Sequence, residues 1–514
     1  MTPMADFREL ADLAGERIGG SVLYANDDFF AEKENLIKAS KPVWKEHEYT
    51  ERGKWMDGWE SRRRRTPGHD FAIIRLGVRG VVRGVVVDTS FFRGNFPESC
   101  SIDGVSLSPL ASVDELLEAK WQPLLAQTKL KGDSENLFAN GAPFAVTHVR
   151  LNIFPDGGVA RLRVHGEPVP DWHGAGGLGG EVDLAAVENG GEVLACSDMF
   201  FGPKNNLIMP GRALNMSDGW ETRRRRGPGH DWVVVRLATE GIVHRLEADT
   251  NHFKGNFPDT VSIEGSIDGD KWTDVLPRTK LHAHTRHFFV DELEARGPFT
   301  QLRMNVFPDG GVSRLRVWGK ATEDGRRAAA VRYINTLAEA SAGLQSCCGS
   351  SKWADAVAKA RPFSDWNELT AAADRIWSKL GSEDWMEAFR AHPRIGERVI
   401  PSRDDGEESG RGLRSPHPDS SRSTALRMTR SWTSDEQSGM HAASNETMNA
   451  LAQANREYEQ KFGHIYLVCA TGRSASDMLA NLRERMKNDA VTEIRVAAEE
   501  QRKITALRLE KLVL

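Results

Sequence analysis

Two stretches of this chain hold nearly every side-chain type that acid–base chemistry on a small polar molecule uses. Residues 57–70 read DGWESRRRRTPGHD and residues 218–231 read DGWETRRRRGPGHD. In the first, Asp57, Glu60 and Asp70 supply carboxylates that accept N–H groups or act as a general base, and His69 titrates near neutrality. Asp218, Glu221, Asp231 and His230 repeat them. Side chains alternate along an extended chain, so Arg62 and Arg64 point opposite to Arg63 and Arg65, and Arg223 and Arg225 opposite to their neighbours. An inward pair offers planar forks suited to a carboxylate or a urea-like carbonyl. A second cluster, D-T-x-x-F-[RK]-G-N-F-P at 88–97 and 249–258, adds Asn95 and Asn256 on a loop beside the first. Together they describe a pocket for a small, anionic, hydrogen-bond-rich ligand. Glu60, His69, Asp70, Glu221, His230 and Asp231 are the expected catalytic groups. Asp57, Arg62, Arg64, Asn95, Asp218, Arg223, Arg225 and Asn256 are the expected binding groups.

Taken singly, an Arg run is a solvated face, and a surface Glu–Arg pair is worth little. Recurrence of the whole set shifts the balance toward a site. Asp57, Glu60, His69, Asp70, Asp88, Asn95 and Pro97 recur at a constant offset, from Asp218 to Pro258. Upstream, NDDFFAEKENLI (26–37) matches SDMFFGPKNNLI (197–208), and downstream RLNIFPDGGVARLRV (150–164) matches RMNVFPDGGVSRLRV (303–317). Two units of one design follow, with length changes confined to the connections.

The elements that must position these residues are strands. Phe71–Leu76 and Trp232–Leu237 are short β-branched runs, and in 300–307 Leu302, Met304 and Val306 face one way while Gln301, Arg303 and Asn305 face the other. FPDGG is a Pro-Asp-Gly turn at a strand end. Short strands between Gly/Pro turns predict two tandem all-β jelly-roll sandwiches, 1–170 and 171–322. From 323 to 514 the texture becomes helical, predicting an all-α domain and a multidomain chain. Ser474 and Asp477 are spaced as a capping box, with Met478, Leu482 and Arg485 on one stripe behind them. Residues 401–430, rich in Ser, Arg, Pro and Gly, are expected to be a disordered insert.

At 514 residues the chain is too long for one core. Its net charge of −5 gives no basic field for nucleic acid. Five cysteines without a C-x-x-C pair suit a reducing compartment. The start MTPMADFRELADLAGERIGG lacks a secretion signal, and no apolar run is long enough to span a bilayer. The cytoplasm is the expected location, with neither nucleic acid nor membrane as partner.

The repeated motifs resemble those of allantoicase, over roughly residues 20–320. The resemblance implies two jelly-roll sandwiches and hydrolysis of allantoate to ureidoglycolate and urea, and leaves a divalent metal open. Allantoate, a small carboxylate with two ureido groups, suits the pocket derived above. In the helical region, Pro393 biases His392 to an extended conformation that presents its imidazole. Glu436 sits in a T-x-x-E capping pattern, and Arg485, on an apolar stripe, needs an anionic partner. HPRIG at 392–396, the Glu436-Gln437 pair, the FGxxxxVCATGRS run from 462 and RxxND near the end resemble 2-oxo-4-hydroxy-4-carboxy-5-ureidoimidazoline (OHCU) decarboxylase, over about 333–514. That implies a cofactor-free enzyme yielding allantoin. Carried over, His392 and Glu436 are catalytic, and Pro393, Gln437, Tyr466, Val468, Cys469 and Arg485 bind the substrate. The expected partners are thus two small-molecule substrates, in a homo-oligomer. The competing class is a tandem jelly-roll binder of an anionic ligand or glycan with a helical assembly domain.

Overall fold

The structure, a computed structural model, describes residues 6–172, 177–392, 445–470 and 473–513. It divides into two compact units, 1–338 (with 513–514) and 339–512.

In the first unit, each repeat is organised on one 19-residue strand, Asp70–Asp88 or Asp231–Asp249. The start of Asp231–Asp249 pairs with Phe299–Phe307 and Glu192–Cys196, and its later half pairs with Arg314–Ala321 and Arg286–Phe289. A long strand that changes partners midway passes from one layer of the sandwich to the other. Its two ends, Asp231 and Asp249, therefore return to the same end of the sandwich. Asp70–Asp88 does the same with Ala145–Phe154, Ser21–Ala25, Arg161–Pro168 and Glu135–Ala139. The alternation holds where it was legible: Leu302, Met304 and Val306 are fully buried. Asn305 and Arg303 turn to the other face, where both bond Glu264. One apolar cluster runs through both sandwiches. At roughly 25 cal/mol per Å² of apolar surface, this burial is the main force holding the unit together.

The helix Glu323–Asn335, read from sequence as the start of the all-α region, belongs to the first unit. It follows the last strand directly and is capped by Thr322, whose hydroxyl accepts the Gly325 N–H. It also lies close against the long strand Asp231–Asp249. The second unit is all-α, with described helices Ala340–Cys348, Ser351–Lys359, Trp366–Ser378, Ser382–Arg390, Asn445–Phe462, Ala475–Arg485 and Ala490–Glu510. The Ser474–Asp477 capping box is formed, and Met478, Leu482 and Arg485 are buried together. Pro393, Glu436, Gln437 and the segment 401–430 lie outside the described residues.

Candidate functional site

Each loop end is built on a tryptophan. Trp59 and Trp220 are fully buried, and each indole N–H donates to a carbonyl of the upstream repeat segment, Asp27 O or Asp198 O, at 2.8 Å. Only Trp59–Glu60 and Trp220–Glu221 are strand, paired with the glycine and valine that follow the Pro-Asp-Gly turns. Those turns need glycine. Gly157 has φ +139°, and a Cβ there would sit 2.7 Å from Asn95 O.

The arginine run is extended but lies beyond the strand, and its alternation is visible. Arg62 bonds Asp27 at 2.7 Å and covers the Phe29 ring, whereas Arg64 bonds the buried Asp70 at 2.5 Å. Arg223 and Arg225 repeat this with Asp198 and Phe200, and with Asp231. Asp70 also accepts from Asn26, and Asp231 from the Ser197 hydroxyl. His69 and His230 lie against Phe154 and Phe307, ring centres 4.7 and 4.6 Å apart. Glu60 accepts from Asn95 at 2.7 Å, and Glu221 from Asn256. Burial pushes the Glu60 carboxyl above the ordinary range.

Asp57 and Asp218 need a correction. Expected as ligand acceptors, they are buried in ion pairs with Arg161 (2.9 Å) and Arg314 (3.2 Å). Asp218 is held a second time, by Arg17 of the first sandwich. A guanidinium buried beneath a loop demands such a partner, so these carboxylates brace the loop end.

A cavity of about 470 Å³ opens on the outer face of the second sandwich. Arg314, Arg316 and Trp318 form its floor, alternating with the inward Leu315 and Val317. Glu247 and Asp249 lie beside them on the neighbouring strand. Arg286 bonds Glu247 with two contacts, 2.6 and 3.0 Å. Asp249 is 1% exposed; its Oδ1 accepts the Asn251 N–H, and it makes no ion pair with the described residues. Glu188 has a buried Oε2 without a hydrogen-bond partner. Burial raises the carboxyls of Asp249 and Glu188 above the ordinary range. Among the described residues no group of three or more His, Cys, Asp or Glu is placed to hold a metal ion.

In the helical unit, Arg485 has its anionic partner in the buried Glu493, and also donates to Leu467 O. Tyr458 completes this network, while Tyr466 bonds Asn481 and the Met478 carbonyl. The Cys469 N–H is taken by Glu500 at 2.7 Å, and Val468 is buried. His392 lies two residues past the helix Ser382–Arg390, with Nδ1 3.4 Å from Arg508. Arg508 can only donate, so this contact puts the lone pair on Nδ1 and the proton on Nε2. Burial and the Arg508 charge push His392 down to about 3, leaving a neutral imidazole at pH 7.

A family model for the allantoicase repeat matches residues 11–169 and again 182–322, together more than half of the chain. The chain belongs to the allantoicase family. A second model, for OHCU decarboxylase, matches residues 336–510. Among its relatives, a probable allantoicase of Photobacterium profundum is 48% identical over 334 residues, covering 63% of this chain and all of that protein. The solved allantoicase of Saccharomyces cerevisiae is 33% identical, covers 60% of this chain and 93% of its own, and superposes with a TM-score of 0.52. A solved OHCU decarboxylase, obtained in the presence of (S)-allantoin, is 33% identical over 34% of this chain and 97% of its own, with a TM-score of 0.26.

The motif residues of the allantoicase unit were legible in the sequence; the cavity was not. Glu188, Arg212, Glu247 and Arg286 lie outside every shared motif. Their signal was difference. At the offsets that align the repeats, the first copy has Arg17 for Glu188, Lys41 for Arg212 and Val86 for Glu247.

Proposed function

We propose that the chain carries two steps of urate breakdown. The helical unit decarboxylates OHCU to (S)-allantoin, and the allantoicase unit hydrolyses allantoate to ureidoglycolate and urea. Opening of the allantoin ring falls to another protein. The observation that carries the hydrolytic step is the allantoicase match across both repeats.

Product chemistry constrains the mechanism. Urea keeps both nitrogens of the ureido group, so the bond broken joins the methine carbon to a ureido nitrogen. That step needs a base for water and an acid for the departing nitrogen. In decarboxylation, loss of CO₂ leaves an electron pair on a ring carbon, and a proton delivered to one face sets the chirality. His392, carried over from the family resemblance, is the group proposed to transfer that proton; being neutral, it first accepts a proton from the substrate or solvent and then returns it to the ring carbon. Glu436, Gln437 and Pro393 enter this proposal from the family resemblance alone.

We further propose a cytoplasmic homo-oligomer. Its five free cysteines support the reducing compartment. The exposed Phe200 and Phe201 support self-association, which sedimentation would test. Purified protein is expected to release urea from allantoate and to yield optically active allantoin from fresh OHCU. Assaying urea with and without chelator tests a divalent metal for the hydrolysis; the decarboxylation is proposed to need no cofactor. A chain that releases no urea and leaves allantoin racemic would overturn the reading in favour of a binding protein.

A further inference from the structure

The two sandwiches share loop-end motifs, but only the second carries the cavity groups. Strand register puts Asp249 between Arg314 on one neighbour and Arg286 on the other. Both arginines are committed elsewhere, to Asp218 and to Glu247. Asp249 is thus a buried carboxylate flanked by two arginines that are paired elsewhere, with no ion pair of its own among the described residues. Glu188 faces the same cavity with an unpartnered buried oxygen. Arg212 also lines the cavity, is exposed, and makes no ion pair with the described residues.

We propose that allantoate is bound and cleaved in this cavity, by the second sandwich alone, with Asp249 as base and Glu188 as acid. The inference rests on the allantoate reading above and adds where the reaction happens. Arg212 receives the substrate carboxylate, and Glu247 accepts ureido N–H groups. Asp249 takes a proton from water as the water oxygen bonds to the methine carbon. The bond from that carbon to one ureido nitrogen breaks with its electron pair, and protonated Glu188 delivers its proton to that nitrogen. Urea and ureidoglycolate result, and the two carboxyls re-equilibrate through solvent.

The division of roles follows from the surroundings. Burial is the largest influence on Asp249 and raises its carboxyl; the Asn251 N–H on Oδ1 works against it and favours the ionised form. Burial is also the largest influence on Glu188 and raises its carboxyl, against its own backbone N–H and the charges of Arg316 and Arg314; its buried Oε2 receives no donor. Its protonated form is the one that finds a partner when substrate arrives.

In the first sandwich the place of Glu188 is taken by Arg17, which pairs with Asp218 of the second sandwich, the same carboxylate that Arg314 holds. Glu135 stands where Arg286 does, opposite Asp88. That copy cannot supply the acid. It contributes by holding the floor of the second one.

Urea release from allantoate by the full-length chain tests this, comparing D249N, E188Q and R212A with D88N. General acid and base groups are worth about 100-fold or more. D249N and E188Q are each expected to lose at least about 100-fold in kcat, with D88N within about threefold of the unmodified chain. E188Q should also lose the alkaline limb of the pH–rate profile, which a structural role would not move. R212A, at an exposed position that folding does not need, should raise KM and spare kcat. Equal losses in D88N and D249N, or an E188Q variant that keeps both its rate and its alkaline limb, would overturn the placement. An unmodified chain that releases no urea, with or without added divalent metal, instead defeats the allantoate reading itself. If D249N melts early, E188Q and R212A decide the matter.

Discussion

Replacing Asp57 by alanine should weaken the allantoicase unit without touching substrate affinity. Asp57 Oδ2 accepts from the Arg161 guanidinium at 2.9 Å and from the Val43 N–H at 3.0 Å, with both side chains almost wholly buried. Removing one partner of a buried ion pair costs about 3–5 kcal/mol, because the other charge is left uncompensated. Arg161 would keep the carbonyls of Ser40, Asp57 and Ala160, which places the loss near the lower end. The orphaned Val43 N–H adds about 1 kcal/mol, for a total of about 3–4 kcal/mol. At roughly 2 °C per kcal/mol for a unit of this size, the melting temperature should fall by about 6–8 °C. Asp57→Asn, which keeps the acceptor oxygen, should lose about half as much. The assay is thermal unfolding followed by intrinsic fluorescence, alongside KM for allantoate at 25 °C. A D57A protein that melts with the unmodified chain while its KM rises tenfold would refute the reasoning, because Asp57 would then face the ligand.

Three other outcomes follow from the same geometry. His148 is buried, and burial together with the Arg75 charge pushes it down to about 4. The unfolded chain takes up this proton near pH 6.5 while the folded one does not. Its contribution is therefore complete above pH 6.5 and declines as pH falls toward 4, by about 3 kcal/mol in all. Denaturant midpoints across pH 4–7 should show the slope, and His148→Asn should reduce it. Burial lifts the thiols of Cys100, Cys347 and Cys348 to about 12. An aromatic disulfide reagent at pH 8 should leave these three unlabelled until the protein unfolds; fast labelling of any one would contradict its burial. His392→Ala should slow decarboxylation by about 100-fold or more and yield racemic allantoin. Retained optical activity would mean that another group delivers the proton.

How much was legible in the sequence varied with the distance over which each feature is decided. Alternation named the buried face of the strand Phe299–Phe307, because successive side chains point to opposite sides whatever lies across from them. The Ser474–Asp477 box was readable because a cap closes within four residues. The tryptophans of the repeat, by contrast, show in the chain only that they recur. The fold shows that they tie the DGWE segment to the loop 32 residues upstream in the first copy and 22 in the second.

The sequence by itself determined the duplication, the two β units, the helical region and the two chemistries their motifs resemble. Local pattern and recurrence need no knowledge of what packs against what. Tertiary structure alone decided the fate of each charge. Asp57 and Asp218 look like free acceptors in the chain, yet Arg161 and Arg314, about a hundred residues away, bury them. Arg17 looks like a solvated cation and instead crosses to the other sandwich. Asp249 and Asp88 share residue type and motif; beyond Glu247 on its own strand, the difference lies in Arg286 and Glu188, brought beside it from two other elements. A charged side chain is defined by its partners, and strand pairing across long separations chooses them.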